Sequence, residues 1–288
     1  MSIASSELIL REDGSVFHLA MRPEQLAEKV ILVGDPGRVA LIAERFQTIE
    51  SETSNREFRS ITGSCDGKRI TVLSTGIGTD NIDIVMNELD ALANIDFSTR
   101  EVRSSLRSLS IVRLGTCGGM QPDTPVGSFI ASAWSIGADG ILNYYAGRNW
   151  VNDSAMSESF VAHTHWNPAK ATPYAVRADE QLTAQIADGD MMLGVTLSAP
   201  GFYGPQGRVL RLPLDTPDIN ERIRSWEYNG MRVLNYEMES SLIAGLARLL
   251  GHRATTVCAV IANRYAHNAN VQYQDSIRSL ADKVLQRI

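Results

Sequence analysis

Arg232-Val233-Leu234-Asn235-Tyr236-Glu237-Met238-Glu239-Ser240-Ser241 is the stretch on which the reading of this chain turns. Val233 and Leu234 have the character of a short buried strand near its end. From Ser240 onward Leu242, Ile243, Leu246, Leu249 and Leu250 recur on one helical face. Two carboxylates, Glu237 and Glu239, therefore stand where a strand hands over to a helix. In open α/β sheets that carboxyl edge is where ligands bind. A half-buried carboxylate there needs hydrogen-bond donors, and sugar hydroxyls supply them, because an ionised carboxylate only accepts. A pair of acids favoured by the dipole of a helix N-terminus accounts for this stretch equally well.

Working outward, apolar runs alternate with helical patterns along the chain. Val30-Ile31-Leu32-Val33 is a continuous apolar strand that ends in Gly34-Asp35-Pro36-Gly37-Arg38, with a helix after it. Residues 57–75 predict two strands joined at Asp66-Gly67, running into Gly76-Ile77-Gly78-Thr79-Asp80-Asn81 and a helix through Val85, Leu89 and Leu92. Residues 98–108 are charged and predict a further helix. Strands follow at 109–114, 128–136, 192–197 and 255–261, with helices near 176–187 and at 273–288. Residues 143–173 form an irregular excursion rich in Asn, His and Trp. Without a linker, repeat or low-complexity tract, residues 1–288 predict one domain. The expected fold is α/β, a three-layer α/β/α sandwich around a mixed, partly barrel-like sheet.

The chain has 288 residues, 44% hydrophobic and 21% charged, as expected of a globular protein with a sizeable core. A net charge of −6 argues against a nucleic-acid binder working through phosphate neutralisation. Cys65, Cys117 and Cys258 are odd in number and lie in or beside apolar runs, which suits free thiols in a reducing cytoplasm. Neither a signal peptide nor a membrane span is expected.

Arg113 carries the most chemical information. Leu109, Ile111, Val112 and Leu114 make its strand apolar on both faces, and such strands lie inside parallel sheets. An arginine is rarely buried there unpaired, so an anion should meet it, either a ligand or a structural carboxylate. Gly34-Asp35-Pro36-Gly37-Arg38 and Gly115-Thr116-Cys117-Gly118-Gly119 are strand-end turns whose backbone N–H groups can approach an oxyanion. Gly76-Ile77-Gly78 is too short for a nucleotide fingerprint, since Asn81 stands where the third glycine belongs. His163-Thr164-His165 lacks a third ligand, so no metal site is expected. His252, after Gly251, is expected to partner a helix C-terminus.

These stretches carry a resemblance. Gly34-Asp35-Pro36-x-Arg38, Asn55-Arg56-Glu57-Phe58, Ser74-Thr75-Gly76-Ile77-Gly78, Arg113-x-Gly115-Thr116-x-Gly118 and Asn235-Tyr236-Glu237-Met238-Glu239-Ser240 resemble, in order, the motifs of the nucleoside phosphorylase-I family. Val16-Phe17-His18-Leu19, Phe202-Tyr203-x-x-Gln206-x-Arg208 and Ala262-Asn263-Arg264-Tyr265 are similar to the branch of that family that cleaves uridine. The resemblance implies a pentosyltransferase of pyrimidine salvage, which converts uridine and inorganic phosphate reversibly to uracil and ribose 1-phosphate. It implies phosphate held by Gly34, Arg38, Arg113 and Thr116, with Arg56 reaching in from a neighbouring subunit. Ribose would be held by Glu239, Met238 and Glu237, with the neighbour's His18 at the 5′-hydroxyl. Phe202, Gln206 and Arg208 would hold the base, and Arg113, Gln206, Arg208 and Glu239 would be the catalytic set. A homo-oligomer with sites shared across a dimer is implied, with phosphate as co-substrate and no resident cofactor. Thr79-Asp80-Asn81 replaces the family's common Gly-Pro-Ser, and the 143–173 excursion is unusual. Both leave a monovalent cation site and the choice of dimer or hexamer open. Three other activities stay open: a nucleosidase of the same fold, a purine nucleoside phosphorylase, and a non-catalytic nucleoside sensor.

Overall fold

The computed structural model describes residues 2–266, 268–270 and 272–288. Its first strand, β1 (Lys29–Val33), is buried along almost its whole length, and α1 (Pro36–Ala43) follows directly. Asp35 caps that helix by accepting from Gly37 N at 2.8 Å, and Pro36 supplies the first helical φ without wasting a donor. An antiparallel meander comes next: β2 (Thr48–Asn55), β3 (Phe58–Cys65) and β4 (Lys68–Ser74). Its second turn, at Asp66 and Gly67, has φ of 48° and 75°, the two left-handed residues that a tight hairpin needs.

Helix α2 (Thr79–Asn94) leads to a small ribbon, β5 (Ile95–Asp96) with β6 (Glu101–Val102). The helix expected over residues 98–108 is absent. The Asp96 carboxylate captures Ser98 N at 2.9 Å and Ser98 Oγ at 2.6 Å, and this side-chain turn competes with helix. Strands β7 (Ser110–Gly119) and β8 (Phe129–Gly137) enter the main sheet. The excursion is more ordered than its composition suggests, containing α3 (Arg148–Val151) and α4 (Ser154–Thr164). Asp153 caps α4, whose Phe160 meets Trp226 edge-on at 5.4 Å. The element expected near 176–187 divides into β9 (Tyr174–Arg177) and α5 (Glu180–Ala187), because Asp179 accepts from Leu182 N at 2.8 Å and starts the helix there. The chain continues through β10 (Met192–Ser198), α6 (Ile219–Ser225), β11 (Glu227–Tyr228), β12 (Met231–Glu237), α7 (Ser240–Leu250), β13 (Arg253–Asn263), β14 (Asn268–Ala269) and α8 (Gln274–Arg287).

The main sheet runs β11-β12-β10-β8-β13-β7-β1-β4-β3-β2, and an additional β12–β7 pairing closes five of these strands into a ring. Parallel pairs (β1 with β4 and β7, β7 with β13) sit beside antiparallel ones, so the sheet is mixed and partly barrel-like. Cys117, Ile130, Leu234, Cys258 and Val260 from the ring strands pack together as one small core. Larger cores join the sheet to α2 and α7, and separately to α1, α5 and α8. No helix among the described residues is long and apolar enough to cross a membrane.

Candidate active site

The carboxyl ends of β1, β4, β7, β12 and β13, with the loop after β10, open onto one cavity of about 680 Å³. Ten of the twelve expected site residues line it: Gly34, Arg38, Arg113, Thr116, Phe202, Gln206, Arg208, Glu237, Met238 and Glu239.

At its deep end Arg113 is only 5% exposed. It is not waiting for an anion, as burial alone suggested. Its guanidinium pairs closely with Glu239 and lies 3.5 Å from Glu237 Oε2. Burial opposes the arginine's charge, but Glu239 and Glu237 hold its pKa above the ordinary value. Gly115 makes the arrangement possible, since a Cβ there would collide with Arg113 Nη1. Nε of Arg113 has no hydrogen-bond partner among the described residues.

The two carboxylates have divided roles. Glu237 accepts from Ser198 Oγ (2.5 Å), Glu239 N (2.9 Å), Ser240 N (2.9 Å) and Ser240 Oγ (2.8 Å), so it is consumed in holding the start of α7. The helix-terminus reading describes Glu237. Glu239 accepts from Gly78 N at 2.8 Å and from Arg113, and burial pushes its pKa up to about 7 against the pull of Arg113. The Gly76-Ile77-Gly78 turn thus presents an N–H to this carboxylate. Asn81, beside it, donates to Glu57 Oε1 at 3.1 Å. Glu57 and Asn81 line the cavity and had been given no role.

At the outer end, the Gln206 side chain is fixed by two arginines. Its Oε1 accepts from Arg208 Nη1 at 2.7 Å and from Arg264 Nη2 at 2.9 Å, and its backbone carbonyl accepts from Arg264 Nη1 at 2.6 Å. Guanidinium groups only donate, so the amide oxygen must face them and Nε2 is left to donate. The Arg208 guanidinium lies over the Phe202 ring, 3.7 Å from its centre. Arg264 stacks on Tyr236, 4.9 Å from the ring centre, and burial, with Arg208 nearby, lowers its pKa to about 10. Arg264 was legible only as part of a motif. Nothing in its spacing ties it to a glutamine 58 positions earlier.

His18 and Arg56 lie outside this chain's own cavity. His18 Nδ1 sits 2.7 Å from Glu88 Oε1, while Asn55 Nδ2 donates to His18 O at 2.8 Å. Arg56, next to Asn55, is exposed at a left-handed φ of 54°. Both residues therefore share one surface region, beside the cavity-lining Glu57. Elsewhere, His163 Nε2 lies 3.0 Å from Ser225 Oγ, and His165 ends α4. His252 is buried and does both: its backbone N–H closes the end of α7 on Ala247 O at 2.7 Å, while its ring accepts from Leu109 N at 3.2 Å through Nδ1 and sets Nε2 3.2 Å from Asp90 Oδ1.

One cavity thus joins an arginine–carboxylate cluster at strand ends to an amide held by two guanidinium groups. The sequence profile of the phosphorylase superfamily matches residues 28–288, and the chain belongs to that family. It is 30% identical to a uridine phosphorylase of Thermococcus kodakarensis over 266 residues, covering 90% of this chain and 82% of that protein. A uridine phosphorylase of Haemophilus influenzae is 31% identical, covering 86% of each chain. Among solved structures, a Trypanosoma brucei nucleoside phosphorylase described as showing uridine phosphorylase activity superposes with a TM-score of 0.87 at 28% identity, over 98% of both chains.

Proposed function

We propose that the chain is a uridine phosphorylase of the cytoplasm, working as a homo-oligomer with phosphate as its second substrate and no resident cofactor. One observation carries the reading: a single cavity holds Arg113 with the Gly34 and Thr116 turns at one end and Phe202, Gln206 and Arg208 at the other.

Both ends are filled by the protein's own groups, and each stands in for a substrate. Glu239 Oε2 on Arg113 occupies the place of one phosphate oxygen; the Arg208 plane on Phe202 occupies the place of a pyrimidine ring. Phosphate takes Arg113 from Glu239, whose freed oxygen then accepts from the ribose hydroxyls. The base takes the face of Phe202 from Arg208. That movement frees a lone pair on Gln206 Oε1 for the uracil N–H, while Nε2 donates to one carbonyl and Arg208 to the other. A phosphate oxygen attacks C1′, the C–N bond breaks, and its electron pair leaves with the base. Arg208 and Gln206 stabilise that charge, and the catalysis comes from positioning and preorganised dipoles. Arg56 and His18, outside their own chain's cavity, complete the phosphate and 5′-hydroxyl contacts of a neighbour.

Release of uracil is followed with and without phosphate. Uracil must appear only with phosphate, and far faster from uridine than inosine gives hypoxanthine; equal rates without phosphate make the chain a nucleosidase. Mixing Arg56→Ala with Glu239→Ala subunits must restore activity. No recovery in demonstrated mixed oligomers refutes the sharing.

A further inference from the structure

A second cavity, of about 520 Å³, lies behind the turn that carries Gln206. Gly204 and Pro205 face this cavity and Gln206 faces the first, so one short 3-10 turn (Gly204–Gln206) forms a wall of both. Trp166, Lys170 and Ala171 of the excursion, the segment for which uridine cleavage supplies no role, line this cavity too. Its volume falls in the range of small-molecule sites, about 300–1,000 Å³.

The walls are built for a flat ring. The Trp166 indole is pinned by its Nε1 donating to Ala171 O at 3.0 Å, and the rings of Pro200, Pro205 and Pro213 contribute further apolar surface. Lys170 closes the rim, 5.5 Å from the centre of the indole and 3.5 Å from Asp215, which also accepts from Asn167 Nδ2 at 2.8 Å. The rim charges are thereby paired among themselves.

Asp139 is the exception. It lines the cavity, accepts from Ile141 N (2.8 Å), Tyr174 Oη (2.8 Å) and Ser241 Oγ (3.2 Å), and no cation pairs with it among the described residues. A carboxylate offers about four lone-pair positions and can only accept, so one position on Oδ1 remains for an N–H donor.

We infer that this cavity is a second binding site, taking a flat, uncharged heteroaromatic molecule with an N–H donor, and that its occupation steadies the Gln206 turn. A ligand that orders a turn lowers the cost of a second ligand needing the same order. Nucleoside affinity therefore rises when the cavity is filled, while phosphate affinity, set at the far end, does not change.

The probe is benzimidazole, with N-methylbenzimidazole as the form lacking the donor, titrated calorimetrically into the full chain with uracil and phosphate saturating. One benzimidazole binds per chain, and N-methylation weakens it about tenfold, the cost of an unmet buried acceptor. Ala171→Phe and Thr216→Phe each fill the space and remove binding, with uridine turnover unchanged. Displacement by uracil, full binding to both filled variants, or no binding of the parent overturns the site. The kinetic arm and the uracil block rest on the uridine reading, whereas the loss of benzimidazole binding in the two filled variants does not. Benzimidazole lowers the KM for uridine about two- to threefold; an unchanged KM, or competition with uridine, overturns the coupling.

Discussion

The two ends of the substrate cavity are built from different materials. The end proposed for phosphate rests on strand termini, where Arg113 and Glu239 are 5% and 2% exposed and paired with each other. The base end rests on an irregular loop, where Phe202 is 50% exposed and only Gln206 is deeply buried. Opening the first end separates a buried ion pair, and a single charge left behind there is costly. Opening the second slides a guanidinium off a half-exposed ring, worth about 0.5–1 kcal/mol at such sites, and breaks its hydrogen bonds to Gln206 Oε1 and Phe202 O, which water can replace. On the proposed reading, the step common to phosphorolysis falls to the strand ends and the choice of base to the loop.

Arg113→Ala tests the strand end and carries the largest expected loss. Removing this contact should raise the barrier by about 2–4 kcal/mol, roughly 30- to 1,000-fold in kcat/KM. The variant should also unfold more readily, because Glu239 and Glu237 lose their buried counter-charge. Steady-state kinetics in varied phosphate and a thermal melt together check it; near-normal efficiency with phosphate would remove Arg113 from the chemistry.

Gln206→Ala tests the loop end. It should cost about 1–3 kcal/mol in kcat/KM for uridine, with the KM for phosphate unmoved. Equal damage to both substrates would erase the division between the ends.

How far the sequence alone reaches follows the same division. Strand ends are legible because buried apolar runs flank them: Val30–Val33 leads into Gly34, and Leu109–Leu114 sets off Arg113 as the one charge within it. The partner of Arg113 was not legible, because Glu239 lies 126 positions away and only the β12–β7 closure brings them together. The loop residues Phe202, Gln206 and Arg208 were found through family resemblance; their spacing in a Gly/Pro-rich segment fixes no geometry. Arg264, Glu57 and Asn81 escaped for the same reason, their contacts being long-range. The 98–108 helix was misread because charge pattern suggested it, while Asp96 turns the chain locally.

A pH series probes the boundary between the ends, at Glu239. Its folded pKa, about 7, lies above the ordinary 4.5 because burial penalises the charge. Between those values the folded chain binds the proton more tightly than the unfolded chain. This group's stabilising contribution is therefore fullest below 4.5 and is lost as pH rises through about 7. Activity should move the opposite way, since the ionised form accepts the ribose hydroxyls: kcat/KM for uridine should fall about tenfold per pH unit below that value. Glu239→Gln should flatten this limb, and a limb that persists in the variant belongs to another group.

Arg264 gives the smallest effect and the sharpest separation between positioning and contact. It supplies two donors to Gln206, one to Oε1 and one to the backbone carbonyl, and Arg208 supplies another to the same Oε1. When the base arrives and Arg208 leaves, Arg264 is the group that still holds the amide oxygen. Arg264→Met keeps the stem over Tyr236 but removes both donors, so the amide is free to rotate. The expected loss is about 1 kcal/mol, near fivefold, in kcat/KM for uridine. It should fall on discrimination against cytidine, because a rotated amide presents its oxygen to an amine as readily as its N–H to a carbonyl. A double-mutant cycle decides the role: if Arg264 acts only through Gln206, the loss disappears in a Gln206→Ala background. Additive losses would mean that Arg264 meets the base itself.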